Sequence, residues 1–97
     1  MKYVYCIEFK SFFQDASGID YQMADMGCFP ILISSFRRAV QRMDSIRKLR
    51  VDLYGESIVK NYAADELTDG DCYDRVEFFC PLTKCRTIVS LYKVYVS

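Results

Sequence analysis

The chain has 97 residues, enough for one domain with a single core, and just over half of them are apolar, which excludes a disordered chain. Thirteen Lys and Arg balance thirteen Asp and Glu, so net charge draws the chain neither to nucleic acid nor to a membrane surface. Histidine is absent, which removes Ser–His and Cys–His nucleophile pairs and imidazole acid–base chemistry, and limits any zinc site to thiolates and carboxylates.

The chain begins MKYVYCIEFKSFF, where Glu8 and Lys10 interrupt the apolar residues, so no signal-peptide core forms. No run reaches the roughly 18 apolar residues that a membrane span needs. The expectation is a cytoplasmic protein with reduced thiols, and an odd count of five cysteines fits that better than a disulfide framework.

Residues 2–10 alternate strictly. Tyr3, Tyr5, Ile7 and Phe9 share one face and predict a strand with an aromatic, buried side. Residues 11–30 are punctuated by Asp15, Ser17, Gly18, Asp20, Gly27 and Pro30 and read as a long irregular connection. From Ser34 to Lys48 the spacing is helical. Phe36, Ala39, Val40, Met43 and Ile46 fall within an arc of about 120°, with Ser34 or Ser35 as the cap. Arg47 and Arg50 would enter that arc, so the helix is expected to end near Lys48.

Residues 51–68 are ambiguous. VDLY reads as a strand with Gly55 as a turn, and Val59, Tyr62, Ala63 and Leu67 then carry a helical spacing although SIVKNY also reads as a strand; the favoured order is strand, turn and then a short helix. An acidic, turn-rich loop, DELTDGDCYD, follows. It lacks the alternating donors and closing Glu of a calcium loop. The four glycines form neither a dinucleotide fingerprint nor a phosphate loop, so no cofactor is expected.

The chain closes with DRVEFFC and CRTIVSLYKVYVS around PLTK, a hairpin. A four-residue loop sets Cys80 opposite Cys85, Phe78 opposite Thr87 and Val76 opposite Val89. One face then carries Val76, Phe78, Cys80, Cys85, Thr87, Val89 and Leu91. The cysteines read best as an extension of the core. A zinc site would need Cys28 and Cys72 at an unsuitable spacing, and a disulfide is geometrically permitted but disfavoured in a reducing compartment.

The other face carries Glu77, Phe79, Arg86, Ile88, Ser90, Tyr92, Val94 and Val96, with Phe79 opposite Arg86. It is too apolar for a bare solvated face, so either residues 11–30 or a partner covers it. Charge is also partitioned. Residues 34–50 hold six cations against Asp44, and residues 51–74 hold seven carboxylates against Lys60.

The expected fold is α+β: a mainly antiparallel sheet of about four strands packed by one principal helix, with room for a second short helix and a ferredoxin-like arrangement as the nearest common relative. The leading functional reading is a non-catalytic protein-interaction module, an adaptor, accessory subunit or inhibitor. Its partner face comprises Phe79, Arg86, Ile88, Tyr92 and Val94, and its partner is another protein or a second copy paired at the C-terminal strand. The alternative is nucleic-acid binding by Arg37, Arg38, Arg42 and Lys48. An enzyme using a carboxylate or Cys near Asp69, Asp71 or Cys72 ranks third. No membrane partner is expected.

Overall fold

The computed structural model describes residues 2–22, 30–53, 58–63, 67, 71–81 and 84–96. Strands β1 (Lys2–Gln14), β2 (Asp20–Gln22) and β3 (Ile31–Ile33) come first, followed by helix α1 (Phe36–Leu53). Strands β4 (Ile58–Asn61), β5 (Cys72–Cys80) and β6 (Cys85–Val96) complete the chain. The fold is α+β, with one helix and an antiparallel sheet five strands wide rather than four, in the order β2-β1-β6-β5-β4. The short β3 pairs with the same edge of β1 as β2 does, further towards the start of β1.

The hairpin register is the one the loop length dictates. Cys80 pairs with Cys85, Phe78 with Thr87 and Val76 with Val89. Beyond it, β6 pairs with β1 from Phe13–Cys85 to Lys2–Val96. The C-terminal strand is therefore central, flanked by β1 and β5, and not the free edge on which a strand-to-strand dimer was expected. Its length is matched by β1, which runs on to Gln14 instead of stopping at Lys10.

The supposed irregular connection begins as a hairpin in the sheet. Asp15 makes the turn: its Oδ1 accepts the amides of Ser17 and Ile19 at 2.9 and 3.0 Å and the Ser17 hydroxyl at 2.6 Å. Gly18 takes φ 89, a left-handed conformation that glycine adopts without a Cβ penalty. The chain then returns along β1 as β2. Residues 11–22 thus widen the sheet and do not cover it.

Helix α1 starts where the serines predict. The Ser35 hydroxyl accepts the Arg38 amide at 3.4 Å, and its carbonyl accepts the Ala39 amide at 3.0 Å. Ala39 and Met43 are fully buried against Ile7, Val76, Phe78, Val89 and Leu91, with Tyr5, Phe9, Ile31, Ile33, Ile46 and Val59 around them. The helix runs past Lys48 to Leu53, so residues 51–53 are helix and not strand.

The expected stop at Arg47 fails because the sheet supplies its partners. Arg47 donates to Asp74 through both terminal nitrogens, at 2.8 and 2.6 Å, and through Nε to Asn61 at 2.8 Å. Asp44 adds a contact at 3.5 Å. A cation in an apolar arc is tolerated once its donors are met.

Residues 58–61 resolve as strand, and Tyr62 and Ala63 leave it without entering a helix. Ala64 and residues 65, 66 and 68 of the possible short helix, together with Gly55, Cys28, Asp69 and Gly70, lie outside the described residues. A ferredoxin-like arrangement joins its last two strands by a helix. Here four residues, 81–84, separate β5 from β6.

Candidate partner-binding surfaces

The sheet face opposite α1 holds the predicted partner residues. Phe79, Arg86, Ile88 and Tyr92 are each half-buried, and Val94 is exposed. Their cover is the face's own long side chains. Arg75 lies across the strands, donating to the Ser90 hydroxyl at 3.0 Å and the Tyr92 hydroxyl at 2.8 Å. Arg86 Nε sits 3.1 Å from a Glu77 oxygen, and the other Glu77 oxygen accepts the Tyr62 hydroxyl at 3.1 Å.

The result is a continuous polar lattice on aliphatic stems, and it buries Ser90, Cys6 and Cys72 to below a tenth exposed. Arg86 also reaches Phe12 on β1, 5.2 Å from the ring centroid. Phe79 is its pair on β5, as the loop length predicts. The Phe12 contact follows from β6 being a central strand with a neighbour on each side.

Arg37, Arg38, Arg42 and Lys48 are all exposed. Arg38 and Arg42 face the β3 side, where they line a groove of about 490 Å³ with Leu32, Ile33, Ser34, Gln41 and Ser45. Arg37 is not among the residues that line it.

Cys80 and Cys85 are half-buried and lie outside the core cluster, so they sit at the rim of the helix-covered face and not within the core. Cys6 and Cys72 are the buried thiols. Burial, and secondarily the charge of Glu8, pushes the Cys6 thiol up. Among the described residues, no group of three or more Cys, Asp or Glu is arranged to hold a metal ion. Asp71 is exposed, while the Cys72 sulfur lies 3.8 Å from an Arg75 nitrogen and 3.5 Å from the Asp74 carbonyl.

One surface was not anticipated. At the end of the helix-side face, Tyr3, Tyr5, Phe36, Tyr73 and Tyr95 form a chain of rings with neighbouring centroids 5.3 to 6.2 Å apart, most of them edge-on. The Lys93 ammonium is 4.1 Å from the Tyr3 centroid and 5.2 Å from that of Tyr95. Apolar surroundings alone would lower its pKa. A hydrogen bond to Tyr95 and the phenols of Tyr95, Tyr73 and Tyr3 outweigh that and raise it. Tyr5 is raised by desolvation and by its hydrogen bond to Tyr3.

Four of the five rings remain open to solvent: Tyr3 44%, Tyr73 45%, Phe36 46% and Tyr95 51% exposed. Tyr3 and Phe36 were assigned to buried faces from their spacing. Tyr73 joins them because a bulge between Cys72 and Asp74 interrupts the alternation of β5.

Compared with known proteins, the chain matches no family model, no curated sequence and no solved structure. Among the described residues, no helix is long and apolar enough to cross a membrane.

Proposed function

We propose that this chain is a small non-catalytic interaction module that docks a protein partner through the aromatic rim of Tyr3, Phe36, Tyr73 and Tyr95. The observation that carries the reading is the linked set of rings, four of them roughly half exposed, at one end of a rigid sheet. Aromatic residues are the commonest anchors of protein interfaces because each buries a large area at little cost in side-chain entropy. Lys93 lies at the centre of the rim and Arg37 follows Phe36 on the exposed helix. The complementary partner therefore presents a carboxylate among apolar groups. A cytoplasmic adaptor or accessory subunit without a cofactor fits this description.

The test is capture with the tagged full chain, treated with nuclease, for the wild type and for Tyr73→Ala/Tyr95→Ala. A partner retained by the wild type and lost by the folded variant supports the assignment. Equal retention by both overturns it. Sedimentation at increasing concentration separates a second copy of the chain from a different protein.

The Arg38–Arg42 groove favours a second reading, in which the helix tracks a phosphate backbone. That reading requires binding to a single-stranded probe at low salt that weakens steeply with salt and is lost in Arg38→Gln/Arg42→Gln.

A further inference from the structure

The two cysteines that flank the β5–β6 turn face each other across the ladder, and the backbone fixes how they do so. Lys84 gives its carbonyl to the Gln14 amide on β1 at 3.1 Å. Successive residues of a strand turn their backbone groups to opposite sides, so those of Cys85 point to β5, where Cys80 is its partner. Cys80 and Cys85 therefore form a hydrogen-bonded pair, whose α-carbons lie about 5.5 Å apart. A disulfide bridges α-carbons from about 4.4 to 6.8 Å apart. Side chains of directly paired residues also project from the same face of the sheet, although the Cβ atoms of a hydrogen-bonded pair lie near the wide end of a roughly 4.5–5.5 Å range, so drawing them to the roughly 3.5–4.5 Å of a relaxed disulfide takes a small backbone shift and leaves the bond strained.

The turn holds that geometry. The Lys84 amide donates to the Cys80 carbonyl at 2.9 Å, and Lys84 itself takes φ 59, so the segment is closed by its own hydrogen bond. Both sulfur-bearing residues are half-buried thiols at the rim, next to the exposed Phe13 that pairs with Cys85 on β1. A reagent reaches this site. It does not reach Cys6 or Cys72, which the lattice on the other face buries.

We propose that Cys80 and Cys85 are a reversible redox pair that forms a cross-strand disulfide by exchange with a small-molecule disulfide such as oxidised glutathione. In the first step one cysteine thiolate attacks a glutathione sulfur, breaking that S–S bond and releasing one glutathione, which takes up a proton. In the second step the other cysteine, as its thiolate, attacks the protein sulfur of the mixed disulfide and displaces the second glutathione. Two protein thiols become one disulfide, and one oxidised glutathione becomes two reduced molecules.

The ring closed by this bond is short. Bridging adjacent strands across a four-residue loop removes less chain entropy from the unfolded state than closing a long loop does, and strain in the bond offsets part of that gain. A strained disulfide that is partly open to solvent is easily reduced again, which is the behaviour of a regulatory pair and not of a structural staple. What changes on oxidation is the β5–β6 tip. Its pairing becomes covalent, and two thiols that reagents and metals can attack are removed.

The experiment uses the full folded chain in glutathione buffers of graded redox poise, quenched with an alkylating agent and mapped by mass spectrometry after proteolysis. The expected result is one intramolecular disulfide, joining Cys80 to Cys85, reversed by reduced glutathione. Its midpoint should not move in a variant lacking the other three thiols, Cys6→Ser/Cys28→Ser/Cys72→Ser. Should that triple variant fail to fold, Cys85→Ser in the otherwise native chain serves instead: Cys80 then accumulates as a mixed disulfide with glutathione. A chain that forms no Cys80–Cys85 bond under oxidising buffers, or that pairs either residue preferentially with Cys6, Cys28 or Cys72, overturns the proposal.

Discussion

Asp74→Ala is the most informative single substitution. Asp74 accepts both terminal nitrogens of Arg47, at 2.8 and 2.6 Å, and its Oδ1 also accepts the Arg75 amide at 2.8 Å. Hydrogen bonds to charged groups contribute about 1.5–3 kcal/mol each, although the two arms of one fork do not add. Two features lower the cost. The Arg47 and Asp74 side chains keep 24% and 28% exposure, so water replaces part of what is lost. Asn61 and Asp44 also remain beside the guanidinium. The net destabilisation expected is about 2 kcal/mol, above an exposed pair and below a fully buried one.

For a domain of this size that corresponds to a fall in Tm of about 8–16 °C, at about 4–8 °C per kcal/mol. Urea unfolding followed by circular dichroism reads it directly. Arg47 projects from the apolar arc of α1, so Arg47→Met in the Asp74→Ala background replaces a poorly paired cation with a side chain that suits the arc. The double variant should regain about 1 kcal/mol. A loss below about 0.5 kcal/mol for Asp74→Ala, the range of an ordinary surface change, would refute the argument that this pair carries the helix past Lys48. So would a double variant no more stable than the single one.

Met43 is fully buried at the centre of the core, and Met43→Ala should cost about 2–5 kcal/mol in the same urea assay, with an unchanged slope. Hydrogen bonds from the Ser17 side chain and from the Ile19 and Ser17 amides hold the Asp15 carboxylate below its ordinary value. A depressed pKa stabilises the turn above the unfolded carboxylate value, about 3.9, and that contribution disappears as pH falls through the folded value. The Ser17 and Ile19 amide resonances should therefore move together as pH drops below about 4, and Asp15→Asn should abolish that titration. Because burial pushes the Cys6 thiol up, Cys6 should alkylate more slowly than Cys80 and Cys85 in the native chain, and all should react alike in urea.

What the sequence made legible was local or periodic. The hairpin register needed only a loop length and a two-residue period, and every predicted pair appears. The start of α1 needed only a serine before an apolar rhythm. The misreadings each involve a partner remote in the chain. The helix was expected to end near Lys48 because Arg47 and Arg50 would enter its apolar arc, yet Arg47 finds acceptors in Asn61 and Asp74, 14 and 27 residues away. Strand β1 was expected to end at Lys10 because residues 11–30 are punctuated by Asp15, Ser17, Gly18, Asp20, Gly27 and Pro30, whereas the length of β6 draws the pairing on to Phe13. The aromatic rim was hidden by a single irregularity. Strict alternation from Val76 puts Tyr73 on the face away from the helix, and the bulge at that position delivers it to Tyr5 and Phe36.

The two faces of the sheet offer a partner different surfaces. The face away from α1 looked too apolar to stand alone because Arg, Tyr and Phe were weighed as letters, one cation or one ring each. In the folded chain Arg75 and Arg86 lie flat. Their stems cover Ser90 and the neighbouring strands; Arg75 donates to Tyr92 and Ser90, and Arg86 lies in ion-pair range of Glu77. A partner docking there would have to displace hydrogen bonds the face already makes, and would gain little apolar area in return. The aromatic rim presents the opposite balance. Its rings are solvent-exposed at the edges, its one embedded cation is held by π-faces, and covering it buries ring surface without breaking the polar lattice. Removing the lattice and removing the rim should therefore separate cleanly. Arg75→Met should lower stability and leave partner capture intact, whereas Tyr95→Ala should leave stability nearly intact and weaken capture.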